Sequence, residues 1–303
     1  MTKRIILVGL LLALTASRAE AAVRVFACEP EWGALAAEIG GPDVEVFTAT
    51  TAHQDPHQIQ ARPALIARLR AADLVVCTGA ELEVGWMPVL LRQGANSRVQ
   101  PGSPGYFEAA GAVRLRDVPG RLDRADGDVH AAGNPHIQTD PRNIRAVGVA
   151  LAKKLAEIDP AHAEAHARRE ADFRARLDAA MTRWQSMAAP LKGAAVASQH
   201  KGWAYLLDWL ELREVAVLEP KPGVPAGAAY LAQVIDELPK TGAEMILYAA
   251  YQDARPAEFV AGKTGLPAVM LPFTVGGSDG AADLIGLFDD TLSRLVAAHA
   301  LKH

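Results

Sequence analysis

Cysteine is nearly missing from this chain: Cys28 and Cys77 are the two in 303 residues. No CxxC pair exists, so a thioredoxin-like redox centre is excluded. Positive charge is not in surplus, with 31 Lys and Arg against 35 Asp and Glu and a formal net charge of −4. That balance argues against a nucleic-acid partner. Long apolar runs are absent after the first residues, and the one present, Ile5 to Leu14, is shorter than the roughly 20 residues a membrane-spanning helix needs. Signatures of common enzymes fail as well. The pair His53 and His57 is not an HExxH motif, since Gln54 follows the first histidine and Pro56 interrupts any helix. No GxGxxG follows the first strand-like run, and Gly262-Lys-Thr264 has Ala257 where a phosphate loop needs glycine. Neither a solenoid-length repeat nor a low-complexity tract is found.

The basic start (Lys3, Arg4), the apolar run and the small-residue sequence Ala19-Glu20-Ala21 read as a secretory signal peptide over residues 1–21. Its removal takes Lys3, Arg4, Arg18 and Glu20, moving the formal charge from −4 to −6. A soluble, exported, periplasmic protein without a membrane span in the mature chain is expected. In an oxidising compartment Cys28 and Cys77 are compatible with one disulfide or with two buried thiols; bridging needs Cα atoms within about 7 Å.

Short β-branched apolar runs at Val23 to Ala27, Val44 to Phe47 and Leu74 to Thr78 alternate with stretches of helical spacing. A second series runs through Ala194 to Ala197, Val215 to Leu218, Met245 to Tyr248 and Ala268 to Leu271. Such alternation predicts parallel strands with helical crossovers. The expected fold class is α/β, with two lobes of mostly parallel sheets flanked by helices and joined by a long backbone helix. The N-terminal lobe is placed at 22–158, the linking helix at 159–190 and the C-terminal lobe at 191–303. Asp159-Pro160 ends one helix and opens the next. In the second, Phe173, Leu177, Met181, Trp184 and Ala188 step by three or four along one face. His162 and His166, on the same helix, read as part of a solvated polar face.

Three histidines occupy short polar loops: Gln54-Asp-Pro-His57, Gly133-Asn-Pro-His136 and Ser198-Gln-His200. In open parallel sheets ligands bind beyond the carboxyl ends of strands. His57 and His200 each follow a strand-like run, as do Glu219, Asp253 and Asp279; His136 precedes a helix. Three imidazoles plus one carboxylate or water complete a tetrahedral shell for zinc or a neighbouring metal. Each histidine alone would read as a polar residue on the surface; three in matching contexts point to a metal site.

The chain resembles the zinc- and manganese-binding solute-binding proteins of metal ABC importers over essentially the whole mature chain. The anchors are Asp55-Pro-His57, Asn134-Pro-His136 with Thr139-Asp-Pro141, Asp159-Pro160, and Ser198-Gln-His200 followed by Trp203-Ala-Tyr205. The resemblance implies that His57, His136 and His200 are metal ligands, that the protein catalyses no reaction, that its partner is an ABC permease, and that it works as a monomer. The family's liganding Asp directly after a Thr is not matched, because Val275 follows Thr274. Asp279 in the loop Gly276 to Gly280 is ranked first for the fourth ligand, with Glu219 as the alternative and water a third choice. His53 and His130 are accessory candidates at the rim. Zn2+ is the expected ion, since three imidazoles with at most one hard oxygen suit it; two carboxylates in the shell would favour Mn2+ or iron. Asp55, Asp140 or backbone carbonyls are expected behind the liganding rings. The rival from another class is a secreted zinc-dependent hydrolase with water in the fourth position.

Overall fold

The computed structural model describes residues 21–121, 127 and 129–302; nearly all of the expected signal segment lies outside the described residues. The first half runs β1 (Val23–Ala27), α1 (Pro30–Gly40), β2 (Val44–Thr48), α2 (Pro63–Ala71), β3 (Leu74–Cys77), α3 (Met87–Gly94) and β4 (Tyr106–Glu108). Two long helices follow, α4 (Pro141–Ile158) and α5 (Ala163–Ala188). The second half runs β5 (Ala195–Ser198), α6 (Ala204–Leu210), β6 (Arg213–Val217), α7 (Ala228–Glu237), β7 (Ala243–Ala249), α8 (Arg255–Thr264), β8 (Ala268–Leu271) and α9 (Leu284–Ala300).

The strands form two four-stranded sheets of the same order, β2-β1-β3-β4 and β6-β5-β7-β8. Every pairing is parallel, as the helical crossovers require. β4 went unread in the sequence because three residues carry too little pattern. Prolines in the first turn start α1, α2, α4 and α8. Asp140 and Asp283 cap α4 and α9 by accepting backbone N–H bonds from Arg142 and Ile285.

Strand side chains alternate between two cores. Val25 and Ala27 of β1 face a central core, whereas Phe26 and the following Cys28 face a smaller one beneath α2 and α3. The central core is continuous across both halves. It takes Leu74 and Val76 from the first sheet, Val196, Met245 and Leu247 from the second, and the apolar stripes of α4, α5 and α9. Cys28 and Cys77 are joined in a disulfide, with Cα atoms 4.8 Å apart.

α5 spans 26 residues, roughly 40 Å at 1.5 Å per residue. Its buried stripe is Phe173, Leu177, Ala180, Trp184 and Ala188; Ala180 takes the place expected for Met181. The reading of His166 as solvated is corrected. Its ring is fully buried, with Nε2 3.2 Å from Asp159 Oδ2 and Nδ1 3.4 Å from the Ile39 carbonyl. His162 Nδ1 lies 2.8 Å from the same Asp159 oxygen. The pair fastens the start of α5 to the end of α4 and to α1. Helical spacing alone could not show that this turn of α5 meets two other helix ends.

Candidate metal centre

Both sheets have their switch point between the strand that opens the lobe and the third strand, the place where open parallel sheets bind ligands. His57 lies in the loop after β2, His136 in the approach to α4, and His200 two residues past β5. The structure brings these three rings together. Their centroids are 5.2 Å apart for His57 and His136, 5.5 Å for His136 and His200, and 5.9 Å for His57 and His200. One donor nitrogen from each lies within 4.8 Å of those of the other two.

Two of the three rings are held from behind by a carboxylate. Asp55 Oδ1 sits 2.7 Å from His57 Nδ1 and accepts the His57 backbone N–H at 3.0 Å. Glu219 Oε2 sits 2.8 Å from His200 Nδ1 and accepts the Gly223 N–H. A carboxylate on Nδ1 fixes the tautomer and turns Nε2 toward the focus. His57 Nε2 is accordingly buried with no partner. Burial works to raise the Asp55 carboxyl, but the hydrogen bonds and charge of His57 outweigh it and hold the group below the usual range. His136 is 1% exposed and its Nδ1 has no partner. Burial, reinforced by repulsion from His57, His200 and His130, pushes it well below an ordinary imidazole. It is therefore neutral at neutral pH, the form a metal requires.

The loops are pinned as firmly as the rings. Trp86 Nε1 donates to the Pro56 carbonyl at 2.9 Å, and Gly85 lets the His57 backbone pass close by, since a Cβ there would meet the His57 carbonyl at 2.9 Å. Asn134 Oδ1 accepts the His136 N–H, while its Nδ2 donates to the Lys201 carbonyl at 2.9 Å. Tyr205 donates to the Asn134 carbonyl at 2.6 Å. Phe273 packs its ring edge-on against His136, Trp203 and Tyr251. It does so from φ +69°, a left-handed conformation unusual for a bulky residue. Sequence reading missed Asn134 and Phe273 as supports; Asn-Pro before a histidine was the available signal for the first, and nothing local marks the second.

The other candidates are placed less centrally. Asp279 is exposed and is not among the donors that cluster. Glu219 stands behind His200 and also lies outside that cluster. His53 is exposed. The His130 ring is 5.4 Å from that of His57, within the spread of the three central rings. It lines a chamber of about 260 Å³ in front of His136 and His200, together with Asp117, Asn134 and Lys201. Asp140 was expected behind a ring but is taken by the Arg142 guanidinium. Gly276 to Gly280 also has the GxSxG spacing of a serine nucleophile, yet Ser278 Oγ donates to Asp290 at 2.6 Å in a loop with no strand-to-helix elbow.

Solved proteins share this architecture. A ZnuA deletion mutant determined with zinc superposes with a TM-score of 0.76 at 22% identity, covering 92% of this chain and 98% of its own. The solute-binding protein FpvC of Pseudomonas aeruginosa, determined with nickel, gives 0.76 at 22% identity over 93% of this chain and 98% of its own; it has also been determined with manganese. The laminin-binding adhesin Lmb of Streptococcus agalactiae gives 0.75 at 20% identity over 90% and 98%. No curated protein matches the chain. The family described as the periplasmic component A of the zinc-uptake complex, ZnuA, has a sequence model that matches residues 25–298, and the chain belongs to that family.

Proposed function

We propose that this protein captures a divalent metal ion, Zn2+ in the first place, between its lobes at residues 22–158 and 191–303, and delivers it to the permease of an ABC importer. The reading includes export to the periplasm through the N-terminal segment, and a monomer that catalyses no reaction. The observation that carries it is the convergence of three neutral-capable imidazoles, His57 and His136 from the first lobe and His200 from the second, around one focus. Zn2+ is favoured over Mn2+ because the clustered donors are all nitrogen, whereas manganese prefers oxygen-rich octahedral shells. The fourth position is assigned to water or to His130 in preference to Asp279 and Glu219, given where those carboxylates lie. Asp55 and Glu219 each engage an imidazole, which leaves the hydrolase reading without a free carboxylate base at those positions. Among the described residues no helix is long and apolar enough to cross a membrane.

Calorimetric titration of the metal-free mature protein tests this. Sub-micromolar zinc binding at one equivalent is expected, weakened at least 100-fold by alanine at His57, His136 or His200. Micromolar or weaker binding of both zinc and manganese would end the proposal.

A further inference from the structure

The chamber in front of His136 and His200, about 260 Å³, is far larger than one metal-bound water needs, since a water's share of the liquid is about 30 Å³. Its walls are of two kinds. Val129, Pro135 and Pro222 are apolar, while Asp117, Asn134 and Lys201 bring polar groups. Apolar walls with a few placed polar groups suit a small organic molecule better than a simple inorganic ion.

The charges beside this chamber are unevenly matched. The clustered metal donors are three imidazoles, so no anion belongs to the set that holds the ion. Asp55 and Glu219 stand on the Nδ1 atoms of His57 and His200, and Asp279 is exposed and outside the cluster. Lys201, by contrast, follows His200 directly, is exposed, and lines the chamber. Its ammonium makes no ion pair or hydrogen bond among the described residues. The carboxylates that share its surroundings are engaged elsewhere: Ser198 donates to Glu214, and Asn134 Nδ2 lies 3.4 Å from Asp117 Oδ2. A free ammonium beside a cation site repels the cargo. An anion held between the two turns that repulsion into attraction.

A carboxylate does this with one group, because its oxygens serve both as ligands to zinc and as acceptors from an ammonium. Asp117 on the same wall opposes a second negative charge and offers an acceptor to a neighbouring ammonium or hydroxyl. We infer that the chamber binds the monocarboxylate of a small α-amino or α-hydroxy acid, which supplies the ion with the anionic ligand the imidazole set lacks and is held by the Lys201 ammonium. The inference rests on the metal-capture reading above and deepens it. The cargo becomes a metal–carboxylate pair, and Lys201 becomes the residue that selects the anion.

The test uses the full mature protein loaded with cobalt, whose visible absorption reports its ligands, and then with zinc. L-alanine and L-lactate, which share a shape and differ in the amino or hydroxyl group, are titrated into the cobalt form at neutral pH. A saturable change in the visible spectrum is expected with the metal retained, and the tighter of the two acids identifies the source of the carboxylate. Native mass spectrometry of the zinc form should show one added acid. Lys201→Met should raise the half-saturating concentration about tenfold or more, the loss of one charge-assisted contact, and Lys201→Arg should restore most of it. Metal uptake with neither a spectral change nor an added mass overturns this inference and leaves metal capture standing. So does a response left unchanged in Lys201→Met. Failure to take up cobalt or zinc at all sinks both readings.

Discussion

At the scale of single residues, the buried Glu31 carboxyl makes stability depend on pH. Burial pushes Glu31 up to about 7, against the opposing hydrogen bond from Thr274. An exposed glutamate in the unfolded chain titrates near 4.3. The folded protein therefore holds the proton more tightly between those values. The resulting stability is complete below about pH 4.3 and is lost as pH rises through about 7. Glu31→Gln should raise the unfolding free energy at pH 8 by about 1–3 kcal/mol and leave it nearly unchanged at pH 4.5. Urea denaturation at the two pH values measures this; equal effects at both would show that the carboxyl is not titrating as described.

At the scale of elements, most of the structure was legible in the sequence. β1 and β8 fall on the residues where alternating apolar runs place them, and the break at Asp159-Pro160 separates α4 from α5 as the proline requires. The histidine loops were legible for a similar reason: Asp-Pro-His and Asn-Pro-His are short, rigid and placed at element ends. What escaped was anything set by the meeting of distant segments. The burial of His166 depends on α1 ending beside it, and the Phe273 ring finds His136 only because two lobes face each other. Removing the His166 ring leaves Asp159 and the Ile39 carbonyl short of a partner in a dry place. His166→Ala should cost about 2–4 kcal/mol in chemical denaturation, with zinc affinity unchanged. His162→Ala should also leave zinc binding intact. Loss of zinc affinity in either variant would show that this end of α5 is coupled to the metal centre.

At the scale of the whole molecule, the central core passes without interruption from the first sheet through α4, α5 and α9 into the second. Large hinge motions need an interface that separates cheaply, and here separation would expose Phe173, Trp184, Leu191 and Leu295 together. Small-angle scattering should therefore return the same radius of gyration with and without zinc, and a contraction on loading would contradict the packing. A body that stays closed cannot release its cargo by yawning open. Whatever unloads the ion has to lever on the rim, bending the segments around His57, Asn134 and Lys201 while the scaffold beneath them stands still. Under the proposed function, a permease would have to meet the protein at the edge of the groove.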